Sequence, residues 1–536
     1  MTKAISFPRP YRSSADQSAS PAVRHPIVIV GGGPVGLSLA ADLGTRGTPC
    51  VIVDGKSEFG EGSRGLCYAK RTLEILDRLG VGERAVGKGV TWQLGKVFHR
   101  ESPLYEFNLL PESGHKMPAF INLQQYYLEQ FLYERCQELP GVDLRFQHKC
   151  VGVETFPDHA LIHLETPDGR YSLEADYLVA CDGSRSTVRS SMNLSFDGRI
   201  FEDRFLIADV KVAAEYPAER WFWFDPPFNA GQSALLHKQP DDIWRIDFQL
   251  GWDVDPVEER KPERVRARLE AMLGKDLPFE FDWISIYSFQ CRRLASFVHG
   301  PVIFAGDAAH LVSPFGARGF NSGVQDVDNL GWKLAAVLDR QAPKSLLSTY
   351  CNEREAAADE NILNSTRATD FITPKSRASH TIRDAALSLA AEMPFARSLI
   401  NSGRLSTPTT YVDTPLSTQD IDGFSGTARL GAPIPDAPLL KPEGDDVWLL
   451  ELLGARFTLL YCGGDLPCAL PAHVTLVRIG RDAIDDKGLF QQRYDARPGS
   501  AYLVRPDGHL CARFRQFDTP ILKAAVQRAL GWELQQ

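Results

Sequence analysis

The stretch from Pro26 to Asp54 limits the possible folds of this chain more than any other. Ile27-Val28-Ile29-Val30 is a short β-branched run, suited to a strand buried on both faces. It leads directly into Gly31-Gly32-Gly33-Pro34-Val35-Gly36, a G-x-G-x-x-G. Gly31 permits the tight turn, Gly33 lets a pyrophosphate approach the backbone, and Gly36 lets the next helix pack close to the strand. Pro34 and Val35 start that helix, which should run roughly to Arg46 with its free N–H groups turned to the phosphates. Cys50 to Asp54 reads as the second strand, ending in a carboxylate that can accept from ribose hydroxyls. The segment is a dinucleotide-binding unit. A second match, Gly60 to Gly65, has no strand entering it and reads as a loop.

Composition narrows the setting. The chain has 536 residues, 43% hydrophobic and 24% charged, which excludes a disordered chain, a fibre and a small disulfide scaffold. Lys and Arg number 59 against 68 Asp and Glu, a net charge of −9, so no basic field recommends nucleic acid. Charges interrupt every apolar stretch before the ~20 residues that span a bilayer, so no membrane partner is expected. The cysteines, 10 in number, are scattered without the spacing of a redox motif or zinc knuckle, which fits a reducing, cytoplasmic setting and no metal. Residues 1–25 lack a signal-peptide core and read as a flexible arm.

Two later segments say which dinucleotide. Asp176 to Ala180 is a buried strand leading into Cys181-Asp182-Gly183-Ser184-Arg185-Ser186-Thr187-Val188-Arg189. Val302-Ile303-Phe304-Ala305 leads into Gly306-Asp307, then a loop Ser313-Pro314-Phe315-Gly316-Ala317-Arg318-Gly319-Phe320, then a helix from about Asn321. Together with the first turn, these motifs resemble the flavin-dependent aromatic hydroxylases of the para-hydroxybenzoate hydroxylase fold, over roughly residues 26–404. The resemblance implies an α/β architecture: a Rossmann-type FAD-binding domain interwoven with a β-sheet substrate domain, the sheet falling at about 199–290.

It also implies roles. FAD would be bound by Gly31, Gly33, Pro34, Val35, Gly36 and Asp54, with Arg64 on the pyrophosphate and Gln125 beside it. Asp307, after Gly306, would hold the ribityl chain at the carboxyl end of a strand. Gly319, Phe320 and Asn321 would present a helix N-terminus to the flavin pyrimidine edge. The Asp182 to Arg189 segment would serve both FAD and a transiently docked NAD(P)H, since no second nucleotide fingerprint is present. A charged helix start is the plainer account of Arg185 and Arg189.

Residues 199–290 are rich in strands, and Ile243 to Leu250 alternates, with Trp244, Ile246 and Phe248 on one face and Arg245, Asp247 and Gln249 on the other. Trp223, Ile246, Phe248 and Phe315 are expected to line an aromatic pocket, although any one of them could be plain core. His237, ending a strand, is expected to meet a phenol oxygen or a carboxylate. Pro314 matches the active-site proline of the family. Where para-hydroxybenzoate hydroxylase has a carboxylate-binding arginine, this chain has Gln239. The implied reaction is hydroxylation of a phenolic compound with NAD(P)H and O2 through a flavin C4a-hydroperoxide.

Residues 405–437 read as a Thr-, Pro- and Gly-rich linker, and 438–536 as the thioredoxin-like C-terminal α/β domain of phenol-hydroxylase-type relatives. Cys462-Gly463-Gly464-Asp465 lacks the second cysteine of a redox pair, so packing or homodimer formation is the expected role. Three other functions stay open. Trp221-Phe222-Trp223-Phe224-Asp225-Pro226 approaches the Trp-x-Trp-x-Ile-Pro of flavin halogenases, epoxidation is a related chemistry, and a non-catalytic flavin-binding protein is the alternative of another class.

Overall fold

The computed structural model describes residues 8–59, 65–212, 216–400 and 405–535. The strand Val23–Val30 pairs in parallel with Cys50–Asp54 on one side and Gly169–Ala180 on the other. Val142–Phe146 and Val302–Phe304 extend the parallel sheet outward. Ile27 to Val30 are at most 3% exposed, as a strand covered on both faces requires. The helix Pro34–Thr45 crosses the helix Gly319–Leu338 so closely that a Cβ on Gly331 would lie 2.0 Å from an Asp42 carboxylate oxygen. Backbone bonds from Gly31 N to Val53 O, Cys181 N to Val30 O and Ala305 N to Ala180 O join the ends of four neighbouring strands. All three sequence motifs therefore emerge at one edge of the sheet, the carboxyl end where such folds bind ligands.

A second sheet has the strand order 310–311, 279–293, 197–212, 243–250, 233–238, 220–224, 94–99, 102–108. Its last two strands come from within the dinucleotide-binding half, ahead of the expected 199–290, so the two halves are interwoven. One face is apolar and covered by the helix Pro262–Leu273, with Leu206, Ala208, Leu236, Trp244, Ile246 and Phe248 meeting Val265 and Leu269. The opposite face carries Arg220, His237, Arg245, Asp209 and Asp247 beside Phe205, Phe222 and Phe315.

Two expectations about connecting segments change. The N-terminal arm is docked from Pro8 on. Arg9 is 1% exposed, with its guanidinium 4.1 Å from the Phe59 ring centre, 4.7 Å from that of Phe146 and 3.2 Å from Glu129. A desolvated arginine needs such aromatic faces and a carboxylate, and these hold the arm down. Residues 405–437 contain neither helix nor strand among those described, yet they are no free linker. Leu416 is fully buried, Tyr411 Oη accepts from Arg354 at 2.9 Å, and Thr418 N donates to Cys511 O at 2.8 Å.

The C-terminal sheet runs Val474–Ile479, Phe457–Cys462, Ala501–Val504, Leu510–Phe514, with the first pair parallel and the rest antiparallel, in the thioredoxin-like order. Residues 463–473 form turns where a thioredoxin places its first helix, so neither Cys462 nor Cys468 sits at a helix start. One hydrophobic core runs from the parallel sheet into this module, including Leu459, Leu503 and Ala512. Among the described residues no helix is long and apolar enough to cross a membrane.

Candidate active site

The first turn is built by contacts that only glycine allows. Gly31 has φ +113°, and a Cβ there would stand 2.3 Å from the Cys181 carbonyl oxygen. A Cβ on Gly36 would lie 2.0 Å from the Gly31 carbonyl oxygen, whereas one on Gly33 would meet nothing within 4 Å. Gly33 thus faces open space at a helix N-terminus that no side chain caps, and Pro34 takes the first helical position. Val35 fills the gap between this turn and the third motif, 3.1 Å from where a Cβ on Gly306 would be and 2.8 Å from one on Gly323. Asp54 accepts from Gly32 N at 2.7 Å and from Lys56 N at 2.8 Å, so its carboxylate braces the turn.

Asp307 is exposed, yet surrounding protein is close enough to push its carboxyl above the ordinary value, against the pull of His310 and with help from Asp326. Asp326 holds the Gly306-Asp307 turn from behind, accepting from Gly306 N at 2.9 Å while paired with Arg354 at 2.7 Å. Asp182 accepts from Thr187 N at 2.7 Å and Val188 N at 3.2 Å; its other oxygen is buried without a partner, and burial raises its pKa.

Gly319 opens the helix Gly319–Leu338, and the Phe320 ring meets Tyr68 edge-on at 5.2 Å. Asn321 accepts from Ala69 N and donates to Cys67 O, each at 2.9 Å, fastening the helix start to the strand Cys67–Ala69. Gln125 accepts from Gly65 N at 2.9 Å and so fixes the residue next to Arg64 in sequence. Arg64 itself lies outside the described residues. Arg189 donates to Ser184 O and Ala308 O and covers Phe196, while Arg185 is exposed.

On the second sheet, Arg220, His237, Arg245 and Asp209 stand directly opposite one another on adjacent strands and so share one face. Arg245 grips Asp209 with two bonds of 2.8 and 2.9 Å, and Gln239 donates to the same carboxylate at 3.0 Å. This buried pair orders the row. His237 is 4% exposed, with Nδ1 3.7 Å from Cys67 Sγ and Nε2 buried without a partner. Burial, then Arg220 and Arg245, hold its pKa well below the ordinary value, so the imidazole is neutral. Cys67 donates to Asn122 Oδ1 at 3.1 Å, which also accepts from Trp92 at 2.9 Å.

Pro314 is exposed, and its carbonyl accepts from Ala317 N at 3.0 Å. Phe315 packs on Phe205 at 4.9 Å and Phe289 at 5.5 Å, on the His237 side of the sheet. Trp223, Ile246 and Phe248 do not join them. They lie on the helix-covered face, because alternation turns them away from His237. The apolar side of that strand was expected to line the pocket, whereas its polar side faces the site. Trp221 and Trp223 share the covered face, so the halogenase-like segment is core packing. Sequence reading missed Cys67, Asn122, Arg220, Arg245 and Asp247 as site residues. The available signal was charge on alternate positions of otherwise apolar strands.

The chain matches the FAD binding domain family over residues 24–365 and the aromatic-ring hydroxylase C-terminal family over 427–532. It belongs to the FAD-dependent aromatic-ring hydroxylases. The hydroxylase is 30% identical over 509 residues to the 12-dehydrotetracycline 5-monooxygenase/anhydrotetracycline 6-monooxygenase of Streptomyces rimosus subsp. rimosus, covering 91% of this chain and 95% of that one. It is 31% identical over 372 residues to a 3-(3-hydroxy-phenyl)propionate/3-hydroxycinnamic acid hydroxylase of Mycolicibacterium gilvum, covering 69% and 64%. The solved OxyS anhydrotetracycline hydroxylase from Streptomyces rimosus superposes with a TM-score of 0.71 at 27% identity, over 95% of this chain and 99% of that one. The flavin-dependent monooxygenase PieE, solved with FAD and substrate, shares the fold with a TM-score of 0.79 at 23% identity, over 96% and 100%. The open Gly33 backbone, the exposed Asp307 carboxylate and the partnerless oxygen of Asp182 fit this cofactor.

Proposed function

We propose that this hydroxylase takes reducing equivalents from NAD(P)H and inserts one atom of O2 into the ring of a phenolic or related aromatic compound. The balance is ring C–H, O2, NAD(P)H and a proton giving ring C–OH, water and NAD(P)+. Bound FAD supplies the electron transfer and oxygen activation. The chain supplies positions. Gly31, Gly33, Pro34, Val35 and Gly36, with Asp54, Arg64, Gln125 and Asp182, hold the dinucleotide. Gly306 and Asp307 would hold the ribityl chain, and the free N–H groups at the helix start, at Gly319, Phe320 and Asn321, would stabilise negative charge on the reduced ring.

The observation that carries the substrate reading is the desolvated His237, whose Nε2 is buried and unpaired beside the strand that Asn321 fastens. A neutral imidazole there can accept a hydrogen bond from a substrate phenol and fix the position of its ring. Phe315 covers the apolar end and keeps water from the ring. Pro314 stands in the loop joining the third motif to the helix, and NAD(P)H docks outside, near Asp182 to Arg189.

The test is direct. Gently purified chain carries FAD, and a panel of phenols stimulates its NAD(P)H and O2 consumption, with a product heavier by one oxygen atom. A flavin-loaded chain showing no stimulation by any phenol would be a binding protein instead, and chloride-dependent halogenation would restore the halogenase reading.

A further inference from the structure

The N-terminal arm lies outside the matched FAD-binding region, which begins at residue 24. From Pro8 it is nonetheless tied to the dinucleotide-binding half at several points. Pro8 bridges to Glu58, and Arg9 N donates to Ser57 O at 2.7 Å, just after the strand Cys50–Asp54. Further along, Tyr11 Oη donates to Asp168 at 2.6 Å, and Asp16 pairs with Arg145 at 2.7 Å. The buried Arg9 guanidinium lies over the rings of Phe59 and Phe146. It meets two carboxylates, Glu129 at 3.2 Å and Asp54 at 3.9 Å.

Three of these neighbours lead to the cofactor cradle. Asp54 accepts from Gly32 N in the first turn, and the Phe146 ring lies against the same glycine, 2.8 Å from where a Cβ would be. Glu129 accepts from Gln125 Nε2 at 2.7 Å, and Gln125 in turn accepts from Gly65 N. Anchoring an arm does not require this arrangement. An apolar side chain between the same rings would hold the arm without the cost of desolvating a charge. What the guanidinium adds is a fixed place for two carboxylates that come from different elements, the strand Cys50–Asp54 and the helix Gln125–Gln137. The acid ending the second strand is where such folds hold the ribose. An unbalanced carboxylate beside it would repel the pyrophosphate.

We propose that Arg9 is a positioning residue for FAD. The arm is a strap on the adenosine side of the site, and Arg9 holds Asp54 and, through Glu129, Gln125 in the places that bind the cofactor. This rests on the FAD-dependent hydroxylase reading above and adds to it a residue outside the matched family region. Linkage makes the effect reciprocal: a strap that tightens FAD is itself held down by FAD to the same extent.

The experiment reads both directions on the full chain stripped of its flavin. In wild type, adding FAD should slow backbone hydrogen exchange in residues 9–18 by a factor about tenfold larger than in the C-terminal helix Thr519–Ala529. Titrated by flavin fluorescence, Arg9→Met should raise the Kd for FAD about tenfold, and Arg9→Lys should raise it less. The Kd for FMN, which lacks the adenosine half, should stay within about twofold of wild type in both variants. A merely structural loss would weaken both flavins alike. An arm whose exchange ignores FAD overturns the proposal, and so does an Arg9→Met chain that keeps wild-type FAD affinity or loses FAD and FMN equally. The exchange measurement needs wild type alone, so it decides the matter even if Arg9→Met fails to fold. A wild type that binds no FAD brings down the hydroxylase reading and the strap together, whereas one that binds FAD with an indifferent arm overturns the strap alone.

Discussion

At the scale of single residues, the site is a row of charges whose protonation is set by burial. Burial pushes the Asp247 carboxyl up to about 6, against the pull of Arg245 and with added repulsion from Asp209. The folded chain therefore holds this proton more tightly than the unfolded chain does, and ionising Asp247 costs stability. That cost is absent below the unfolded value near 4, grows as pH rises, and is complete above 6. Asp247→Asn removes it, so the variant should unfold at a higher temperature than wild type at pH 8, a gain of about 3 kcal/mol in stability, with the gap closing at pH 4. Thermal unfolding at the two pH values checks this; an equal gap at both would assign the effect to something other than the proton. His237 differs in kind. Its neutrality comes from burial beside two arginines.

At the scale of elements, two glycines of one turn do different work. Gly36 makes room for the helix against Gly31, while Gly33 faces open space. Gly36→Ala should lower the unfolding temperature even without FAD, at a cost of about 1–3 kcal/mol for the overpacked crossing. Gly33→Ala should leave the flavin-free chain as stable as wild type and weaken FAD binding. Calorimetry of apo and FAD-loaded protein separates the two, and a Gly33→Ala apoprotein as damaged as Gly36→Ala would contradict the division. The turn was readable because local chemistry alone dictates it: a β-branched run, glycines at fixed offsets and an acid ending the next strand. The Asp182 and Gly306-Asp307 turns were readable for the same reason, each following a short apolar strand. The substrate face was not. Alternation in Ile243–Leu250 shows that two faces exist, but which one meets the cofactor depends on the helix Pro262–Leu273 covering the apolar side. Arg9 was equally hidden, since its aromatic and acidic neighbours come from residues 59, 129 and 146.

At the scale of the whole molecule, one turn of the C-terminal module is keyed into the core of the catalytic unit. Arg505 bonds Glu353 at 2.6 and 3.1 Å and also pairs with Asp507. Asp507 accepts from Trp332 at 3.1 Å, and its carbonyl accepts from Arg71 at 2.6 Å. Lys333 reaches Glu353 at 2.8 Å, and burial brings its pKa down to about 8 despite that carboxylate. Trp332 and Lys333 belong to the helix Gly319–Leu338, and Arg71 to the helix after Cys67–Ala69. The module therefore braces the elements that frame the site, a structural role that needs no redox cysteines. Breaking a buried pair from one side leaves an uncompensated charge, which costs about 3–5 kcal/mol. Arg505→Met should lower the unfolding temperature of the entire chain and keep one calorimetric transition, because the shared core leaves no seam between the modules. Loss of flavin absorbance should follow the same transition. If the variant instead unfolds in two steps, with flavin retained through the first, the module folds on its own and the brace is dispensable for the site.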